Sequence, residues 1–163
     1  MSAKSFVRDK TMTGTSNFFS TSRLTSEDST DFLPWSEEYN LGIRSVDHDH
    51  HILFDVVNNF ERSVRKNESI VIVSSTFKAL ETYVNEHFAR EEKHMANAKY
   101  HGAIAHRKLH RNLKQDLEGF KRDFLETPEE FDSEEFLGFL GEWLKDHILK
   151  EDMAYVSHVK GLE

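Results

Sequence analysis

The chain has 163 residues and a formal net charge of −8, and its 13 Phe, 2 Trp and 4 Tyr are enough bulky side chains to fill the core of one domain. The acidic balance argues against a nucleic-acid binder, and no run of about 20 apolar residues is available to span a membrane. There is no cysteine, which excludes disulfides, thiolate metal sites, iron–sulfur clusters and cysteine nucleophiles.

Residues 1–31 are rich in Ser and Thr and lack a periodic apolar pattern, so they are expected to form a disordered tail rather than a second domain. Lys4, Arg8, Lys10 and Arg23 against Asp9 alone give the tail a composition shared with organelle transit peptides, while the apolar stretch of a secretory signal is missing. The expected compartment is the cytoplasm. Residues 32–163 read as one domain, opened by Pro34 and Trp35.

Ser45 is the expected N-cap of a first helix over 46–66 that Asn67 ends, and a second helix is expected over 69–98. Gly102 breaks the chain before a third helix over 103–125. The turn Thr127-Pro128-Glu129-Glu130 and a cap at Asp132 or Ser133 lead into a fourth over 133–157. Connections this short demand antiparallel neighbours, so the expected fold is all-α, an antiparallel up-down-up-down four-helix bundle with an N-terminal extension.

Each predicted helix carries an apolar stripe at spacings of three and four, and each stripe contains histidine. The first runs Val46, His50, Leu53, Val57, Phe60 and Val64, and the second Ile70, Val73, Phe77, Leu80, Val84, His87 and Glu91. The third runs His106, His110, Leu113, Leu117, Phe120 and Phe124, and the fourth Phe136, Leu140, Trp143 and His147, with Asp152 beyond. An unpaired buried polar group costs roughly 1–3 kcal/mol, and a carboxylate more. Seven such groups exceed what a domain stable by about 5–15 kcal/mol can carry, unless something compensates them together. Five imidazoles and two carboxylates are a ligand set for two transition-metal ions, built from nitrogen and oxygen.

Residues four apart share a helix face, so His87 with Glu91, and His106 with His110, can each reach one centre. The step of five from His147 to Asp152 overshoots alignment by about 140° on an α-helix, so the last helix must be locally distorted there or Asp152 must reach sideways.

With V-D-H-D-H at 46–50, Y-V-N-E-H-F-A-R-E-E-K-H-M at 83–95, Y-H-G-A-I-A-H-R-K-L-H at 100–110 and W-L-K-D-H-I-L-K-E-D-M-A-Y at 143–155, the chain resembles the hemerythrin family over roughly residues 33–157. The resemblance implies two Fe ions bridged by an oxo or hydroxo group and by the carboxylates of Glu91 and Asp152. His106, His110 and His147 would hold one iron. His50 and His87 would hold the other, which keeps an open position where O₂ is held reversibly as hydroperoxide. In that scheme the buried charge sums to the same value before and after uptake, which avoids the cost of burying new charge. Leu53, Phe88, Trp143, Ile148 and Leu149 would wall the open position.

The expected function is therefore reversible O₂ binding for transport, storage or delivery, not catalysis. The alternatives are an O₂ or redox sensor module, or a di-iron oxidase, peroxidase, nitric oxide reductase or iron-handling protein. A homo-oligomer and an unidentified protein partner remain open. Glu91-x-x-His94 matches the ExxH piece of ferritin-like bundles, which need a second ExxH that the chain lacks. His48, His51, His94, His101 and His158 are expected at the surface. So is the basic side of the third helix, Arg107, Lys108, Arg111, Lys114, Lys121 and Arg122.

Overall fold

The computed structural model of the protein describes residues 31–66 and 70–159. Of the expected tail over residues 1–31, all but Asp31 lies outside the described residues, as do the Asn67 helix stop and the start of the second helix at 69. Four α-helical rods form an antiparallel up-down-up-down bundle, and no strand occurs among the described residues: α1 (Arg44–Arg65), α2 (Ile70–Asn97), α3 (Ala103–Glu126), and a fourth rod made of α4 (Ser133–Asp146), a π-helical segment (His147–Asp152) and α5 (Met153–Val159). No described helix is long and apolar enough to cross a membrane.

The stripes read from spacing are the buried faces. Val46, His50, Leu53, Val57 and Phe60 are buried on α1, and Val73, Phe77, Leu80, Val84, His87 and Glu91 on α2. His106, His110, Leu113, Leu117 and Phe124 are buried on α3, and Phe136 and Leu140 on α4. Ile70, the first residue of its stripe, is exposed.

The core divides along its length. At the end closed by the 127–132 turn it is aromatic, with Phe77 stacked on Phe136 at 4.6 Å, Phe60 edge-on to Phe136 at 5.5 Å and Phe124 against Phe131 at 5.4 Å. Such ring pairs add about 0.5–1.5 kcal/mol each beyond their buried area. The other half of the core holds the histidines. The fold can therefore rest on the apolar half while the polar half is given to chemistry.

The N-terminal extension closes one side. The Asn58 side chain clamps Leu33 by accepting from its N–H at 2.8 Å and donating to its carbonyl at 2.9 Å. Trp35 stacks on His51 with centroids 3.7 Å apart. Phe32 lies over Gly141, where a Cβ would come within 2.9 Å of its ring.

One local signal differs from expectation. Ser45 is not the N-cap of α1: the helix begins at Arg44, with Ile43 at the cap and no side-chain bond there. The carboxylate of Asp47 ties down the preceding loop instead, accepting from Leu41 N at 2.7 Å and from Gly42 N at 3.0 Å, and Gly42 takes a φ of 74° that suits glycine. Ser45, one position into the helix, turns its hydroxyl to His94 Nε2 at 3.2 Å. α2 stops before Gly102, in a Schellman turn with Lys99 at φ 51° and the pair Tyr100 N→Met95 O and Lys99 N→Ala96 O at 2.9 and 3.1 Å. Gly102 leaves room for the Tyr100 ring, 2.6 Å from where a Cβ would stand. Asp132 does cap α4, accepting from Glu134 N at 3.1 Å and Glu135 N at 2.9 Å.

Candidate metal centre

All four rods send polar side chains into the histidine half of the core: His50 from α1, His87 and Glu91 from α2, His106 and His110 from α3, and His147 and Asp152 from the π-helical segment. None is more than 5% exposed. Their donor atoms fall into two groups, one of Glu91, His106, His110 and His147, the other of His50, His87, Glu91 and Asp152. Within each group all atoms lie within 4.8 Å of one another.

The two carboxylates join the groups. Asp152 turns Oδ2 to His50 Nε2 at 3.3 Å, and Oδ1 to His106 Nε2 at 3.3 Å and His147 Nε2 at 3.2 Å. Glu91 Oε2 lies 3.1 Å from His110 Nε2 and 3.6 Å from both His87 Nε2 and His106 Nε2. The awkward step of five from His147 to Asp152 is met by the backbone: the π winding, with its i→i+5 bonding, takes up the extra residue and lets both side chains face the same centre.

Donors this deeply buried normally find hydrogen-bond partners. Here Nε2 of His50, His106, His110 and His147, Oε2 of Glu91 and both Asp152 oxygens have none. These are the atoms that converge, and they match the donor set of two transition-metal ions in number and type. The residues present therefore fit a pair of metal ions sharing the carboxylates of Glu91 and Asp152.

The electrostatics fit as well. Burial pushes Glu91 upward, but the charge of His87 and the imidazole nitrogens of His106, His110 and His147 turned toward it outweigh burial and hold the carboxyl well below the usual range. Asp152 is likewise lowered against burial and the Glu91 charge, by His147, His106 and His50. Burial alone would lower His106, but the carboxylates of Asp152 and Glu91 facing it raise it to about 9. Burial lowers His110. Burial and the two carboxylates push the Tyr155 phenol far up, so it remains a donor.

Three supporting groups escaped the sequence reading. Tyr155 donates to Glu91 Oε1 at 2.6 Å. Glu92 Oε1 stands 3.0 Å from His110 Nδ1. Asp49 Oδ2 stands 3.5 Å from His87 Nδ1 and is ion-paired to Arg90. Carboxylates placed behind ligand histidines fix their tautomer and orientation. A usable signal did exist: Asp49 and Glu92 adjoin His50 and Glu91, and Tyr155 follows Asp152 by three.

Of the expected wall residues, Leu53, Phe88 and Ile148 are at most 1% exposed. Phe88 lies flat on the His110 ring, centroids 3.6 Å apart. Trp143 is half-buried, its ring 6.1 Å from that of His147. Leu149 needs correction: it is 37% exposed, because a side chain two residues past buried His147 points about 200° round the helix from it, to the outer side of the rod. The buried leucine beside His147 is Leu144, one turn earlier. His48, His51, His101 and His158 are exposed, and His94 is half-buried. On α3, Arg107, Lys108, Arg111 and Arg122 are exposed, whereas Lys114 reaches over the Phe88 ring and Lys121 pairs with Glu81.

Comparison with known proteins agrees with this geometry. The hemerythrin HHE cation-binding domain matches residues 41–159. The chain is 29% identical over 127 residues to a bacteriohemerythrin of Clostridium acetobutylicum, covering 76% of this chain and 98% of that protein. It is 26% identical over 121 residues to a myohemerythrin of Theromyzon tessulatum, covering 74% of this chain and 88% of that one. A solved structure of a hemerythrin mutant superposes with a TM-score of 0.74 at 23% identity, covering 81% of this chain and all of the other, and so shares the fold. With 119 consecutive residues matched and a buried donor set to go with them, the chain belongs to the hemerythrin HHE cation-binding family.

Proposed function

We propose that this protein holds two iron ions at His50, His87, Glu91, His106, His110, His147 and Asp152 and binds O₂ reversibly there, for transport, storage or delivery. The observation that carries the reading is the asymmetry of the donors: three histidines serve one group and two the other, with Glu91 and Asp152 reaching both. An ion held by His50 and His87 would have one imidazole fewer and would keep a position for an exogenous ligand. An iron pair bridged by an oxo or hydroxo oxygen would supply two electrons to O₂ and recover them on release.

The chain's own residues set the conditions. Leu53 and Ile148 exclude water from the polar half of the core. Glu92 holds the ring of His110, Asp49 stands 3.5 Å behind that of His87, and Tyr155 holds Glu91. No nucleophile and base pair accompanies the donors in the sequence, which supports a carrier rather than an enzyme. The relatives named bacteriohemerythrin and myohemerythrin support the same class.

The test is the optical spectrum of reduced, iron-loaded protein before and after air. A visible band that forms with O₂ and vanishes under vacuum is expected, with two irons per chain by elemental analysis. Rapid turnover with an electron donor would replace the carrier reading with an oxidase or reductase. His50→Ala should abolish the band and leave helical content mostly intact, whereas His48→Ala, at an exposed position, should keep it.

A further inference from the structure

We propose that the cleft between α3 and α4 is the port through which divalent cations reach the buried centre, with His147 at its inner end. The inference rests on the reading of the seven donors as a metal centre. Of the four neighbouring rod pairs, α3 and α4 bring their backbones together least. Between them lies a cleft of about 370 Å³ walled by Leu109 and Leu113 on one side and Phe139 and Trp143 on the other. His147 lines it. The same residue is 5% exposed and has no hydrogen-bond partner at Nε2, which lies 3.2 Å from Asp152 Oδ1 and 3.9 Å from Glu91 Oε2. An ion in the cleft is thus one imidazole ring away from both shared carboxylates.

Charge and position say what the cleft admits. Asp116, Asp146 and Glu151 line it beside Lys150, whose Nζ pairs with Asp146 at 2.7 Å. Asp116 and Glu151 therefore leave it net negative, and a cleft lined by one sign of charge concentrates ions of the other. Its inner end belongs to the three-histidine group, on the far side of the shared carboxylates from His50 and His87. A route for O₂ to an open position on the two-histidine side has no reason to end there, whereas a route for the metal does.

The test loads metal-free protein with Co²⁺ alone, followed by stopped-flow through quenching of Trp143 fluorescence and through the visible bands of bound Co²⁺. In Asp116→Asn/Glu151→Gln, loading at low ionic strength should slow by about three- to tenfold, approach wild type in high salt and end at the same stoichiometry. Leu109→Trp, at a position already 36% exposed, should slow loading at every ionic strength by narrowing the mouth. Glu129→Gln/Glu130→Gln, which removes the same charge at the opposite end of the bundle, should load at the wild-type rate. The port is overturned by cleft variants that load within twofold of wild type, by equal slowing in the distant control, or by a lower final stoichiometry in the double cleft variant. Wild-type protein that takes up fewer than two Co²⁺ would instead overturn the metal-centre reading beneath it.

Discussion

The Tyr155 hydroxyl donates a 2.6 Å hydrogen bond to Glu91 Oε1, which leaves Oε2 as the oxygen facing His87, His106 and His110. The bond joins α5 to α2 across the centre and fixes which way the shared carboxylate points. Tyr155→Phe keeps the ring and removes the donor, leaving a buried carboxylate oxygen without its partner. The metal-free protein should lose about 1–3 kcal/mol by denaturant unfolding. Because burial and the carboxylates push the phenol far up, a pH titration of folded wild type and variant should show the same tyrosinate signal. A tyrosinate missing from the variant would show that Tyr155 is not held as described.

Glu92 and Asp49 each stand behind a ligand histidine, one per donor group. Glu92→Ala should therefore weaken metal at the three-histidine group and Asp49→Ala at the two-histidine group, each by about 10–100-fold in a chelator competition. If both variants weaken the same ion, or neither shifts affinity beyond threefold, these carboxylates do not orient the ligands.

The bundle and its donors were legible because they obey one rule, the spacing of three and four that places a residue on the buried stripe. His50, His87, Glu91, His106, His110 and His147 all sit on those stripes, so pattern alone brought them together. Asp49, Glu92 and Tyr155 lie beside the stripes, where a polar residue reads as solvated. What decides their role is distance across rods, and that does not exist in one dimension. Ser45 looked like a cap because it precedes a stripe, yet the backbone enters α1 two residues earlier than expected and Asp47 ties the loop. The step of five at His147 did announce a distortion, and the exposure of Leu149 was legible too, since it stands two residues past a stripe histidine and so on the opposite side of the rod.

In the metal-free protein, His106 is raised from 6.5 to about 9 by Asp152 and Glu91 against the effect of burial. A histidine whose folded pKa exceeds its unfolded one adds stability that is fully present below the unfolded value and is lost as pH climbs through the folded value. Metal-free protein should thus lose stability between pH 6.5 and about 9. Metal-loaded protein should not lose it there, because a ligand imidazole is already deprotonated. Loading near neutral pH should also release a proton, measurable with an indicator dye in weak buffer. Parallel stability curves for the two forms would sink this.

Ile148 and Leu149 are adjacent, both aliphatic, and sit within the same π turn, yet one is 0% and the other 37% exposed. Truncating each to alanine separates shielding of the centre from the general loss of a side chain. Ile148→Ala should cost about 2–5 kcal/mol, as buried truncations do, whereas Leu149→Ala should stay within about 0.5 kcal/mol of wild type. On the proposed function, water reaching the centre shortens the life of the O₂-bound form, so Ile148→Ala should also lose its optical band faster. Leu117→Ala supplies the control, since Leu117 is a buried stripe residue two turns beyond His110 and should lose stability without losing the band faster. If Leu149→Ala sheds the band as fast as Ile148→Ala, the π turn presents Leu149 inward when O₂ is bound, and its exposed position here is not the working one.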